Sequence, residues 1–365
     1  MTIQNNGLNV LSLFDGISMA HEALKQSGKL INKYYSSEIE KNSIVISKKN
    51  HFQNHVGNVM DVCYNKGSIY YNDQKDDIEF DLLVGGSPCT NLSFAGKQAG
   101  LSTTCNQEIL TLEQYLEFKN NGFEFEGQSY LFWEYIRLLR EIKPKFFFLE
   151  NVVMEKKWED IFTKNLGVSP VKINSRLFGC QNRPRIYWTN INYDINKLPN
   201  HNITFKDIKQ STSISKYYYS DKALNWLINH SYRKFLSSGK IKKLKIYNDD
   251  DIINAITASH CKKYSGQRFF AILDNGISNK IQKEKIQEIY NQCVKENDFT
   301  KLDILTDWKK ILYEDYAYRY ITPEECELAQ GLPLGYTNSV CDTSRYKSIG
   351  NGFTVDVIEW FFNFI

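Results

Sequence analysis

Residues 80–93 read FDLLVGGSPCTNLS, and the fold turns on how this stretch is taken. Leu82-Leu83-Val84 is a short apolar run, too brief for a helix, and predicts a buried strand. Gly85-Gly86-Ser87-Pro88 then turns the chain tightly and delivers Cys89. In an open α/β sheet, chemistry collects in the crevice beyond the carboxyl ends of the strands. A cysteine there is a candidate nucleophile. Most cysteines are instead small, buried core residues, so this stretch alone leaves both readings open.

Upstream, Leu8–Phe14 predicts another buried strand. Asp15-Gly16 turns it, and Ile17, Ala20 and Leu24 recur at helical spacing. Strand, tight turn and helix place backbone N–H groups where they can face a ligand. The G-x-G-x-x-G dinucleotide fingerprint is absent, because Gly16 stands alone. Lys33–Ser37 predicts a second strand, followed by Glu38 and Glu40. An acidic residue after the second strand of a nucleotide fold commonly holds ribose hydroxyls, although a solvated glutamate at a helix start reads the same way. Val56–Asp61 predicts a third strand end near the same crevice.

Downstream, residues 93–128 are polar and carry four glycines, with a short helix expected over Glu108–Phe118. The stretch has the character of a mobile loop over a site. Leu131, Tyr135, Leu138 and Ile142 mark an amphipathic helix that Pro144 ends. The strand Lys145–Leu149 follows and runs into Glu150-Asn151-Val152. A partly buried carboxylate at that place can carry a proton at neutral pH. Gln181-Asn182-Arg183-Pro184-Arg185 precedes the strand Ile186–Ile191, and alternation points Gln181, Arg183 and Arg185 one way. Guanidinium groups there suit a base edge, a phosphate or Glu150; ordinary surface arginines are the alternative.

Composition bounds these readings. The chain has 365 residues, 42% hydrophobic and 24% charged, with a net charge of +3. That is a globular chain, large enough for one main domain and a smaller one. No apolar run approaches the ~18 residues of a membrane span, and the N-terminus lacks the pattern of a secretory signal. The eight cysteines show no metal-ligand spacing. A reduced, cytoplasmic setting without a disulfide framework or metal is expected.

Five segments, LSLFDG, GGSPC-x-x-LS, FFFLENV, QNRPRIY and SIGN, stand in one order along the chain. In them the chain resembles the DNA (cytosine-5)-methyltransferases. The opening segments look most like the vertebrate de novo branch and its prokaryotic relatives, the closing ones like bacterial restriction-modification enzymes. The resemblance implies a doubly wound, mostly parallel α/β sheet, the Rossmann-like class I S-adenosylmethionine-dependent methyltransferase fold. It implies a discontinuous catalytic domain, residues 1–190 and 319–365, and a smaller target-recognition domain, residues 191–318. It implies Cys89 as the thiolate that adds to cytosine C6 and Glu150 on N3 and the exocyclic amine. Arg185 and Arg183 would hold the O2 edge and Glu150. It further implies S-adenosylmethionine on Phe14, Asp15 and Gly16, with Glu38 on its ribose. Asn58, Pro88, Leu131 and Asn351 would complete that pocket. Thr90 replaces the usual glutamine, Asn58 replaces a frequent aspartate, the glycine turn is thinned to FDGIS, and the loop after Cys89 is long.

The motif match lapses over residues 191–318. Lys222–Lys245 is basic, includes Lys234, Lys242 and Lys243, and holds no Asp or Glu. With interleaved aromatics it suits a phosphate backbone; a solvated helix face is the alternative. Ile256–Arg268 is polar, and Lys262, Gln267 and Arg268 are candidates for duplex contact, the last two as base readers. Thr322-Pro323-Glu324-Glu325 predicts a capped helix start, which Arg319 would brace. Ser348–Gly352 is expected to turn into a last helix bearing Val355, Ile358, Phe362 and Ile365, which should pack back on the first domain.

The expected protein is therefore a monomeric, bacterial or phage-like enzyme acting on double-stranded DNA, with a restriction endonuclease as a possible functional partner. No regulatory domain ahead of the motifs and no membrane association are expected. Two alternatives remain. A tRNA cytosine-5 methyltransferase shares the fold but typically carries a Cys-Phe-Thr signature, where this chain reads Ser259-His260-Cys261-Lys262. An idle DNA-binding module has no need of Cys89, Glu150 and Arg185 together.

Overall fold

The structure is a computed structural model that describes residues 7–89, 92, 100–210, 215–217, 246–247, 249–261, 271–273, 292, 295–296 and 318–365. In chain order the first half runs β1 (Leu8–Leu13), α1 (Met19–Gln26), β2 (Ile31–Ser37), α2 (Lys41–Asn50) and β3 (Asn54–His55). A small antiparallel meander follows, β4 (Cys63–Asn65), β5 (Ser68–Tyr71) and β6 (Gln74–Asp77). Then come β7 (Leu82–Gly85), α3 (Leu112–Asn120), α4 (Phe132–Ile142), β8 (Phe146–Val152), α5 (Lys156–Leu166) and β9 (Val171–Asn174). The next elements are β10 (Gln181–Asn182), β11 (Pro184–Thr189), α6 (Phe205–Ile208), β12 (Ile246–Tyr247), β13 (Ile253–Asn254), β14 (Ala271–Leu273) and β15 (Tyr318–Arg319). The described chain closes with α7 (Pro323–Ala329), α8 (Asp342–Asn351) and α9 (Val355–Phe362).

Seven strands form the central sheet in the order β3-β2-β1-β7-β8-β11-β9. Pairing is parallel from β3 through β8, and β11 runs antiparallel to both its neighbours. The doubly wound, mostly parallel sheet expected from the sequence is therefore present. Its order reverses between β1 and β7, which opens a crevice at their carboxyl ends.

Alternation along the strands builds two cores, one per face. Val10, Leu82, Val84 and Phe148 face α1, α8 and α9. Leu11, Leu13, Leu83, Phe147 and Leu149 face α3, α4 and α5. Near-continuous apolar strands are what a sheet covered on both faces requires. Ile191, Phe205 and Ile208 join the first of these cores together with Trp360 and Phe361.

Three local expectations are corrected. The helix placed over Glu108–Phe118 starts at Leu112, because Thr111 caps it by accepting from Gln114 N. The stretch 100–128 does not stand free, for Leu101, Ile109, Leu112 and Tyr115 are buried in the second core. Ser348–Asn351 is the last turn of α8 rather than a turn, and the break falls at Gly352. Gly352 belongs there for packing, since a Cβ on it would lie 2.2 Å from Met19 Sδ.

The capped start of α7 is as the sequence predicts. Thr322 Oγ1 accepts from Glu325 N at 3.2 Å, and Thr322 N donates to Glu325 Oε2 at 2.9 Å. Arg319 braces it, with both guanidinium ends on the Glu325 carboxylate at 2.7 and 2.8 Å.

Candidate active site

The turn after β1 is unusual in its backbone. Phe14, Gly16 and Ser18 all have left-handed φ, at 56°, 58° and 62°. Only the glycine adopts this freely, so something must hold the other two. The Asp15 carboxylate does so. It accepts from the hydroxyls of Ser12 (2.6 Å), Ser18 (2.5 Å), Tyr34 (2.8 Å) and Ser36 (2.7 Å). Asp15 is thus turned into the protein, and the turn offers a ligand its backbone rather than this side chain.

Glu38 leaves the end of β2 and closes on the same turn. Its carboxylate accepts from Gly16 N at 2.8 Å and from Ile39 N and Glu40 N at 2.7 Å each. Burial raises its pKa, and these three amides pull the other way. A Cβ built on Gly16 would meet nothing within 4 Å, so open space lies before the turn. Half-buried backbone at a helix start beside an acidic acceptor with one lone pair to spare fits a nucleoside-bearing ligand. Asn58 caps a short 3-10 turn by accepting from Met60 N at 3.1 Å. Leu131 directly precedes α4, partly buried against the second core. Asn351 ends α8 with its side chain exposed.

The catalytic candidates meet at the ends of β7, β8 and β11. Gly86 has no room for a side chain, because a Cβ there would sit 2.8 Å from the Phe353 ring and 3.5 Å from Glu150 Oε2. Asn151, buried on the opposite face of β8 from Glu150, donates to Ser87 O at 3.2 Å and Ser87 Oγ at 3.0 Å. These contacts fix the turn that carries Pro88 and Cys89. Glu150 lies opposite Tyr187 across the antiparallel β8–β11 pair, with Arg185 opposite Val152. Arg185 Nε stands 2.9 Å from Glu150 Oε1, the two side chains 16% and 12% exposed. A pair this poorly solvated couples strongly, and each partner fixes the other's orientation.

Cys89 feels this group electrically. Burial raises its thiol pKa, the Glu150 charge raises it further, and Arg185 and Arg183 oppose both. The resting cysteine is a protonated thiol whose acidity burial sets first and the neighbouring charges adjust.

Arg183 is placed differently from Arg185. It is 2% exposed, and its guanidinium donates to Ile256 O at 2.7 Å, Gly352 O at 2.7 Å and Gly350 O at 3.3 Å. Burial and the neighbouring Arg185 push its pKa down to about 9. It stays a cation at neutral pH. Of the two arginines expected on Glu150, the structure brings Arg185 there and commits Arg183 to main-chain carbonyls.

Lys234, Lys242, Lys243, Lys262, Gln267 and Arg268 lie outside the described residues, as does the basic run of which the first three are part. Among the described residues no group of His, Cys, Asp and Glu could hold a metal ion, and no helix is long and apolar enough to cross a membrane. Asn151 carried no role in the sequence reading, although it sits between two quoted motif residues. Period-two alternation, which turns it away from Glu150 and under the Cys89 turn, was the available signal.

A family model described as C-5 cytosine-specific DNA methylase matches residues 8–365. The chain is 28% identical over 302 residues to the Type II methyltransferase M.HpaII of Haemophilus parainfluenzae, covering 77% of this chain and 70% of that one. It is 26% identical over 373 residues to the Type II methyltransferase M1.ScrFI of Lactococcus lactis subsp. cremoris, covering 96% and 76%. The solved structure of the S. pombe Dnmt2 methyltransferase superposes with a TM-score of 0.60 at 14% identity, covering 97% of this chain and 96% of that one. At that identity the superposition shows a common fold.

Proposed function

Because the chain belongs to the C-5 cytosine-specific DNA methylase family, we propose that it methylates C5 of a cytosine within one short duplex DNA sequence, from S-adenosylmethionine. The observation that carries this reading is the convergence of Cys89 with the Glu150–Arg185 ion pair at the carboxyl edge of the sheet. Family relatives named Type II methyltransferases support a restriction-modification setting.

The mechanism follows from what the ring needs. Cytosine C5 is a poor nucleophile. Addition of the Cys89 thiolate to C6 turns the ring into an enamine whose C5 can take a methyl group. As that charge develops on the ring, Glu150 holds N3 and the exocyclic amine and relays to N3 the proton that the Cys89 thiol gives up. Arg185 keeps Glu150 in place and faces the O2 edge. Loss of the C5 proton and departure of the Cys89 thiolate restore the ring. None of this is possible inside the base stack, so the cytosine is flipped out.

S-adenosylmethionine supplies a methyl group activated on a sulfonium centre. The main chain of Phe14–Gly16 would receive it, Glu38 would accept from its ribose hydroxyls, and the chain at Asn58, Pro88, Leu131 and Asn351 would border it. The residues of the domain split, 1–190 with 319–365 for chemistry and 191–318 for recognition, are assigned on the same basis.

The test is expression in a host without cytosine methylation, with 5-methylcytosine mapped across its genome. Methylation at one recurrent short sequence, abolished by Cys89→Ser while duplex binding persists, is expected. Methylation by the Cys89→Ser protein would refute the covalent mechanism. An inert but soluble wild type would refute DNA as the substrate, and total RNA would be assayed next.

A further inference from the structure

Ile256 is held in a way that ordinary strand pairing does not explain. Its N–H donates to Gln181 Oε1 at 2.7 Å, and its carbonyl accepts from Arg183 at 2.7 Å. Both polar groups of one residue's main chain are therefore gripped by two side chains from i and i+2 of the segment that leads into β11. Immediately before it, β13 lies parallel on β10, Gln181 opposite Ile253 and Asn182 opposite Asn254. Immediately after it, the chain lies directly on α8. A Cβ on Gly350 would fall 2.2 Å from the Thr257 carbonyl carbon and 2.3 Å from Ala258 N.

The same grip reaches the other closing elements. Gln181 Nε2 donates to Ala329 O at 3.0 Å and approaches Gln330 Oε1 at 3.2 Å. Gln330 Nε2 donates to Ile349 O at 2.9 Å, and Thr354 Oγ1 donates to Gln330 Oε1 at 2.8 Å. Arg183 donates to Gly350 and Gly352 on either side of Asn351. Arg183 Nε is buried and finds no partner among the described residues. The seam is thus one acceptor short in this state, which a small shift of the gripped chain would change.

We propose that Gln181 and Arg183 are positioning residues that clamp Ile256–Ala258, so that engagement of DNA by the 191–318 segment is transmitted to the chemistry at Glu150 and Arg185. The proposal rests on the methyltransferase reading above. The physical route is short. Arg183 and Arg185 are two residues apart on one extended segment, so a displacement of Ile256 shifts the strand that aims Arg185 at Glu150. Displacement of Thr257 and Ala258 acts equally on the end of α8. A polar seam suits this role, because directional hydrogen bonds enforce a register that apolar packing tolerates losing.

The experiment compares wild type with Arg183→Lys, Gln181→Met and the double variant. Three quantities are measured: the dissociation constant for plasmid DNA that the wild type methylates, the dissociation constant for S-adenosylmethionine, and the rate of one turnover with enzyme in excess. A tenfold or greater fall in the single-turnover rate is expected for each single variant, with both dissociation constants within about threefold of wild type. The double variant should lose no more than the worse single one, since either change opens the same clamp. Wild-type single-turnover rates in folded variants would overturn the proposal. So would losses confined to DNA affinity or to thermal stability, which mark a brace and nothing more. Gln181→Met leaves the arginines untouched, so it carries the test if Arg183→Lys fails to fold. An inert wild type on every DNA would instead overturn the reading beneath it.

Discussion

Two adjacent glutamates at the start of α7 should respond to the same substitution to very different degrees. The Glu325 carboxylate accepts four N–H donors: Arg319 and Gln210 N on Oε1, at 2.7 and 2.9 Å, and Arg319 and Thr322 N on Oε2, at 2.8 and 2.9 Å. Both it and Arg319 are 0% exposed. Glu325→Gln keeps the shape but turns an NH2 group onto two of those donors and leaves the guanidinium without its counter-charge. Breaking a buried pair in this way costs about 3–5 kcal/mol. Glu324, by contrast, is 36% exposed and pairs with Arg345, which keeps Glu327 as a buried partner at 3.0 Å. Glu324→Gln should cost less than about 1 kcal/mol. Native-state hydrogen exchange at the α7 amides reads the difference directly. With ~1.4 kcal/mol per decade, the opening equilibrium should rise about a hundredfold or more for Glu325→Gln and about fivefold or less for Glu324→Gln. Equal acceleration by the two variants, or less than tenfold for Glu325→Gln, would refute the assignment of the buried pair.

Two further outcomes follow from shifted acidities. Alkylation of Cys89 by iodoacetamide, followed at its peptide by mass spectrometry, should climb steadily between pH 7 and 9, since the thiol pKa is raised above 9.0. Glu150→Gln removes a raising charge and should speed the reaction at fixed pH, and Arg185→Gln should slow it; a slower Glu150→Gln protein would contradict the placement of that charge. Burial, aided by Glu359, pushes Asp356 up from 3.8 to about 6. The fold therefore favours its protonated form, and the associated stability is present below pH 4 and lost as pH rises through 6. Urea midpoints of wild type should fall over that window relative to Asp356→Asn, and parallel pH profiles would show the group to be unperturbed.

What could be read from the sequence was what depends on neighbours along the chain. Short continuous apolar runs in Leu82–Val84 and Phe146–Leu149, and the Thr322–Glu325 capping pattern, are local rules, and each element stands where they put it. The residues alone left the Glu150–Arg185 pair as one option among several, and it was the family resemblance, not a local rule, that put Arg185 on Glu150. The direction of Asp15 was not legible, since in a turn with left-handed residues on both sides a side chain follows no period. The grip of Arg183 on Ile256 was not legible either. Its partner lies 73 residues away and is a main-chain carbonyl, which leaves no mark on residue type. The last turn of α8 was missed because glycine beside asparagine usually signals a break, whereas Gly350 is kept by the close approach of Thr257 and Ala258.

The ring of hydroxyls around Asp15 sets a condition on anyone who would transplant this turn. Its four donors come from the strand before it, from the helix start after it and from the second strand. FDGIS moved alone into another sheet would bring a carboxylate into the interior with Ser18 as the one donor left of four, and would leave two non-glycine residues in a conformation little enforces. The portable unit is the whole run from Ser12 to Ser36. Sequence drift at any one of Ser12, Ser18, Tyr34 or Ser36 should be tolerated only where the incoming side chain still carries a hydroxyl or another donor of matching reach.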